Sequence, residues 1–549
     1  MPALSLLVLA TGCHRREVPP DPAPSAVVAL APVPAPAALL LRGELRNPGE
    51  LYKATQALVG GRARLLPTSL AVAIATTLLD SPLSSGMIDD TAPAALAVMG
   101  DEGRSVVTAL RLTSGRELVA ALTMGSDARF TATKDAGGVT LLAARSAPTS
   151  ITLGVFADHL ILGESESAVL VAGPFVATNG VAPSNGTDVA LVAPHAALAG
   201  PIATGLAGGF ASLRDTWLVA DAAARKEHGG RTPDFGDPAA VVRMASAFAE
   251  QLVAVLGSAE EARLDVTLTG DAPLCRGELV AGATGRAREL TDGLAVGDLE
   301  PVRALPGWVE AALFGRASDG ARDAGTTFGD RLEAVLGDRL KARERERVRT
   351  WVGDALHGIG PVRTLGVFGG ARAGIFIAGT NGDGDALRRA TLALPAIASA
   401  PAFAEPLHAL LGKMEFGAPS TTGTVTRLPL RLTPKAGSGK EPAVAYSMES
   451  SSVGARVAVI AAQGDGSEEL QELLSSSSTA TVVEDATVAS AIARAGKQGS
   501  AALVVRVRTE ASAPGSVIAT VGSDRKVTWA EVGASKAALA ALVRAFVSR

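Results

Sequence analysis

His159-Leu160-Ile161-Leu162, followed by Gly163-Glu164-Ser165-Glu166 and an apolar-periodic stretch to Val176, reads as a strand, a capped turn and a helix. The phrase returns in the second half of the chain. Arg456-Val457-Ala458-Val459-Ile460-Ala461 precedes Gln463-Gly464-Asp465-Gly466-Ser467-Glu468-Glu469 and a helix to about Leu474. Ala373-Gly374-Ile375-Phe376-Ile377-Ala378 likewise precedes Asn381-Gly382-Asp383-Gly384-Asp385 and a helix through Leu394.

Strand-like runs surround the first phrase at Ser105–Leu112, Glu117–Thr123, Ala128–Thr133, Val139–Ala144, Thr152–Phe156 and His159–Leu162. Turn formers such as Ser114-Gly115 and Gly137-Gly138 separate them, and these connections are too short for parallel crossovers, so the runs predict a meander. A helix over Pro238–Leu256, strands Leu264–Thr269 and Leu274–Ala281, and a helix near Glu289 close the first block. They are matched by a helix near Val488, strands Ala501–Arg508 and Val517–Val521, and a final helix from Ser535 to Phe546. The prediction is an α+β fold of two similar halves, 42–298 and 299–549, each with largely antiparallel meander sheets packed against helices, as an internal duplication would produce. Strand Asp188–Val192 and a helix over Arg331–Leu356 are read as additional elements; in the latter, Arg343-Glu344-Arg345-Glu346-Arg347 forms a charge-balanced solvated face.

Composition narrows the function. With 549 residues, 47% hydrophobic and 19% charged, the chain is long and apolar enough for a large core. Two cysteines exclude a disulfide framework and any multi-cysteine metal site. Aromatics at 3% and a net charge of −4 argue against a nucleic-acid partner.

Leu4-Ser5-Leu6-Leu7-Val8-Leu9-Ala10-Thr11-Gly12-Cys13 is too short for a mature membrane span but suits the apolar core of a secretory signal. The stretch resembles the lipobox of bacterial lipoproteins, with Ala10 where that family usually has Leu. The resemblance implies a signal peptide over 1–12, cleavage before Cys13, and lipid on Cys13 as the membrane anchor. It also implies a place in the bacterial cell envelope, lipid-anchored; His14 after the cysteine permits the outer membrane, facing the periplasm or the cell surface. Residues 22–41 are uncharged, but Pro22, Pro24, Pro32, Pro34 and Pro36 break a helix, so 13–41 reads as an extended tether. Cys275, alternating with Arg276 and Glu278 and on the face of Leu279, reads as a buried small hydrophobe.

No motif signals catalysis. The Gly379–Asp385 loop departs from the dinucleotide pattern, and Asp383 and Asp385 at a helix start predict acidic capping rather than phosphate binding. Gly437-Ser438-Gly439-Lys440 lacks the rest of a P-loop and reads as a turn; Ser523-Asp524-Arg525-Lys526 reads as a turn as well. Six histidines at 14, 159, 195, 228, 357 and 408 show no metal-ligand spacing, although His159 and His195 would make a hydrolase pair if the fold brought them together. Between Ser167 and Leu213 only Asp188 is charged. That region reads as core, with an apolar ligand cavity or a membrane-facing hairpin as alternatives. The chain is thus expected to be a lipid-anchored envelope protein acting by binding or scaffolding, without cofactor, metal or catalytic residues. Its partners would be the membrane and a protein or apolar ligand; the alternatives are a lipid carrier and an anchored hydrolase.

Overall fold

A computed structural model describes residues 31–547 apart from 101–104, 126–127, 136, 146–149, 180–186, 228–237, 271, 318–339, 370–371, 434–442, 476–480, 482–484 and 508–514. In the first half the strands are β1 (Leu39–Leu45), β2 (Ala94–Met99), β3 (Ser105–Arg111), β4 (Phe130–Lys134), β5 (Thr140–Ala144), β6 (Thr152–Phe156), β7 (His159–Gly163), β8 (Val189–Pro194), β9 (Ala259–Thr267) and β10 (Leu274–Ala281). The second half supplies β11 (Val309–Arg316), β12 (Val362–Phe368), β13 (Gly374–Thr380), β14 (Lys413–Phe416), β15 (Ser420–Thr422), β16 (Val425–Thr433), β17 (Val444–Val453), β18 (Arg456–Gln463), β19 (Gly499–Val507), β20 (Gly515–Asp524) and β21 (Val527–Ala534).

All 21 strands join one antiparallel sheet. The first half runs β4-β5-β6-β7-β3-β2-β1-β8-β9-β10. The second runs β16-β17-β18-β13-β12-β11-β19-β20-β21, with β14 and β15 both flanking β16. These are the same order. β10 pairs antiparallel with β21, so the last strand of each half joins the two into one sheet.

The correspondence extends to single residues. β1 is irregular between Leu39 and Leu41 against β2, and β11 is irregular between Val309 and Ala311 against β12. Stepping through the ladders from that shared bulge aligns Gly43 with Leu313, Leu191 with Leu503, Leu264 with Ala519 and Gly277 with Val532. Arg276 then corresponds to Glu531, and the two face each other across β10 and β21. A local two-fold axis therefore passes between them. Where two identical strands would set a side chain against its own copy, the chain has opposite charges: Arg276 Nη1 lies 3.5 Å from Glu531 Oε2, and Glu531, 2% exposed, also accepts from Arg494 Nε at 2.8 Å. The two-residue turns after β6 and β17 match as well, opening on Ala157 (φ 49°) and Gly454 (φ 59°).

Strand alternation explains the layers. Leu110, Leu112 and Leu160 face helices Leu70–Thr77 and Gly115–Thr123, while Val107, Ala109 and Ile161 face helix Glu166–Thr178. In the second half Val457, Val459 and Ile377 gather with Ile359 and Leu387 of helices Ala342–Ile359 and Gly384–Ala398. Phe376, Ala458 and Ile460 face helices Ser467–Leu474 and Ala486–Ala495 from the other side.

Several expectations need correction. Residues 117–123 are not a strand: Ser114 Oγ accepts from the Glu117 amide, and Leu118 and Leu122, one helical turn apart, are both buried in helix Gly115–Thr123. The two halves do not carry separate sheets, and the series is not a simple meander, since β3 pairs with β7 after the β4–β7 meander returns to it. Strand Asp188–Val192 is no addition: as β8 it lies between β1 and β9 and corresponds to β19. Strands 264–269 and 274–281 correspond to β20 and β21 rather than to β19 and β20. The segment assigned to the tether already joins the body, with the Asn179 side chain donating to the Val33 carbonyl at 2.8 Å and β1 starting at Leu39.

Candidate functional site

The halves differ most in length at one connection. Between β8 and β9 the chain inserts residues 195–258, whereas β19 and β20 are joined by residues 508–514 alone. The insertion contains helix Ala203–Glu227, about 37 Å long, packed against helix Pro238–Gly257. Its base is anchored: Leu198, Ile202, Val255 and Leu256 join Ala193, Ala259 and Ala281 in a small core. Beyond the base it stands clear of the body. The run His195–Ala223 is long and apolar enough to cross a membrane by length and composition, yet only 17% of its most apolar window is buried. Trp217 is 53% exposed, Val219 70% and, on the second helix, Phe248 69%. On the first helix charge returns at Arg214 and Asp215, which pair at 2.9 Å, at Asp221 and Arg225, which pair at 2.8 Å, and at Lys226 and Glu227, while the second helix carries Arg243 and Glu250. β1 runs antiparallel to β8, so Leu39, where the chain joins the sheet, lies at the end from which the hairpin leaves.

The second half has a cavity of about 530 Å³ between the β15–β17 edge of the sheet and helix Ser467–Leu474. Glu449 lies at its wall with 0% exposure. Its Oε1 accepts from Arg427 Nε at 3.0 Å and from Ser447 Oγ at 3.0 Å, while its Oε2 is buried without a hydrogen-bond partner. Arg427 also reaches Asp465 Oδ1 and Ser467 Oγ, each at 3.2 Å. Asp465 is held below the usual carboxylate range by the Ser467 hydroxyl and amide, with smaller contributions from Arg427 and the nearby Glu449 side chain. Thr424, Ser451 and Gln471 add polar groups to the lining, and Val425, Leu470 and Leu474 add apolar ones. A second cavity of about 250 Å³ lies beside Arg456, Thr364 and Thr380.

Among the described residues, the matching position in the first half is filled. Following the ladders, Glu449 corresponds to Thr152, Arg427 to Ala143 and Ser451 to Gly154. At Gly154 a Cβ would come within 2.8 Å of Val169 Cγ1 and 3.1 Å of Val139 Cγ1, so apolar packing fills the matching space.

Cys13 and His14, the Gly437–Lys440 turn and His228 lie outside the described residues. His159 and His195 do not meet: β7 and β8 are separated by β3, β2 and β1, about 19 Å across the sheet. His159 is pushed below its ordinary value by burial and by Arg111, against an opposing pull from Asp158, and its Nδ1 has no partner. His195 Nδ1 lies 2.7 Å from the Ala259 carbonyl, tying the hairpin base to β9. Cys275 is half-buried in β10, and burial raises its thiol pKa. Asp383 caps its helix by accepting from the amides of Asp385 and Ala386. In the first phrase Ser165, not a neighbouring glutamate, is the cap. Ser523–Lys526 spans the β20–β21 turn, with Arg525 at φ 40°. Sequence reasoning missed Glu449, and polar Ser447–Ser452 carried no signal that one face of its strand would be sealed by a helix. Among the described residues, no three His, Cys, Asp or Glu side chains are grouped to hold a metal ion.

Comparison with protein-family models, curated proteins and solved structures finds no match for this chain.

Proposed function

We propose that this is an envelope protein held at a bilayer by lipid on Cys13 and seated there by the helical hairpin 195–257, acting by binding or scaffolding rather than by chemistry. One observation carries the reading: an apolar, largely exposed helix pair inserted at the β8–β9 connection, at the sheet end where the tether-borne chain arrives. Water exposure of such a surface is unfavourable by about 1.5–3 kcal/mol for each large apolar side chain that a bilayer would otherwise bury. The short charge-free secretory-like segment ending at Cys13 supplies the second attachment that stable anchoring needs. The hairpin is not required by the repeated scaffold, since the second half forms its β19–β20 pair without one. The outer membrane, facing the periplasm or the cell surface, is the setting this reading assigns.

An apolar carrier and an anchored hydrolase draw less support: residues 167–213 line neither cavity described above, and the two histidines lie far apart. Flotation of the unlipidated Cys13→Ser chain with phospholipid vesicles tests the seat. The chain should float with vesicles, and Val219→Asp with Phe248→Asp should reduce the bound fraction about tenfold or more. Equal flotation of both chains would refute the hairpin's role.

A further inference from the structure

We infer that the cavity beneath helix Ser467–Leu474 is a binding site for a small ligand that presents a protonated amine to Glu449. The cavity, about 530 Å³, lies within the range of small-molecule sites. Its decisive feature is the orphan oxygen. Glu449 is buried at the cavity wall, its Oε1 accepts from Arg427 and Ser447, and its Oε2 receives no donor. A buried carboxylate oxygen left unbonded is unfavourable, and an N–H donor from a ligand removes that cost.

Charge selects which donor. Arg427 pairs with two acidic side chains, Glu449 and Asp465, so acids outnumber bases at this wall, an arrangement that favours an ammonium and disfavours a carboxylate or phosphate. The rest of the lining is divided between Ser and Thr hydroxyls and the side chains of Val425, Leu470 and Leu474, which suits a ligand with an apolar portion behind its amine. The first half sharpens the point. At the corresponding positions Ala143 and Thr152 replace the charges and Val139 and Val169 close the space, so neither the cavity nor the buried carboxylate is demanded by the shared scaffold.

The site lies in the other half from the membrane seat and is testable without a bilayer, so either reading can fail alone. Three probes of matched length, hexylammonium, 1-hexanol and hexanoate, are titrated into the whole chain and followed by ligand-observed NMR and calorimetry. Hexylammonium should bind at least about tenfold tighter than 1-hexanol, and hexanoate should not bind. Glu449→Gln should weaken hexylammonium at least about tenfold and narrow its margin over 1-hexanol. Val453→Trp, at a position 59% exposed on the cavity rim, should obstruct all binding while leaving the charges intact and the melting temperature unchanged. Hexanoate binding as well as hexylammonium, absence of hexylammonium binding to the unaltered chain, or indifference of that binding to both substitutions would overturn the proposal.

Discussion

The two halves of this chain share a strand order, a bulge in the leading strand and a positive-φ turn, and they differ in what is hung on that frame. The first half fills the space under its helix Glu166–Thr178 with Val139, Val169 and Phe156 and sends an apolar helix pair outward from β8. The second joins β19 to β20 through a few residues and keeps a charged cavity under helix Ser467–Leu474. Features that recur in both halves answer to folding. Those present in one half alone are where function is to be sought, because the other half shows that the sheet forms without them.

The sharpest way to break this comparison is at the junction, where the halves meet on β10 and β21. Glu531→Ala leaves Arg494 and Arg276 without their buried carboxylate and should cost about 3–5 kcal/mol in urea unfolding. A loss below about 1 kcal/mol would mean that the opposed charges do not hold the halves together. Next in size come two matched glycines, each the first residue of its helix. A Cβ at Gly115 would lie 2.0 Å from the Ala157 carbonyl oxygen, which is backbone, whereas at Gly384 it would meet only the Ser452 side chain, with the hydroxyl at 2.3 Å free to rotate away and the Ser452 Cβ at 2.8 Å having to shift slightly. Gly115→Ala should therefore cost about 2–3 kcal/mol and Gly384→Ala about 1 kcal/mol in the same measurement. Equal costs would show that the halves tolerate crowding alike.

The smallest effect is one of pH. Burial first, then Arg111, lowers the folded-state pKa of His159 from 6.5, so the unfolded chain takes up this proton more readily. Its contribution is present above the unfolded pKa and is lost as pH falls from about 7 toward the lower folded value. Its counterpart across the halves is Arg456. His159→Gln should flatten the stability curve between pH 7 and 5, and an unchanged slope would show that the buried imidazole takes up its proton as readily as the unfolded one.

Much of the scaffold was legible because repetition is written in short phrases. His159–Glu166 and Arg456–Glu469 occupy equivalent positions and their strand alternation survives in both copies, while Ser165 caps the first helix and Asp465 accepts from the Ser467 amide at the second. The alignment of the later strands slipped by one because 238–256 looked like the partner of the helix near Val488, when it belongs to the inserted hairpin. Residues 117–123 misled because Leu118, Ala120 and Leu122 also alternate over a short window, and only the Ser114 cap and the Leu118–Leu122 spacing distinguish a helix. The charge-free run after Asp188 predicted core, and only its first part is: β8 is interior, while the helix that follows is apolar for another reason. Burial of Glu449 depends on helix Ser467–Leu474, beyond the next strand, closing over the sheet, which the pattern of its own strand does not encode.

The central claim is that the hairpin is an addition to a self-sufficient repeated frame and faces a membrane. Replacing residues 205–252 with a short Gly/Ser linker, while keeping Leu198, Ile202, Val255 and Leu256 at the base, tests it directly in the Cys13→Ser chain. The account predicts an unchanged melting transition together with loss of vesicle flotation. Flotation that persists, or a body that no longer folds, would contradict it.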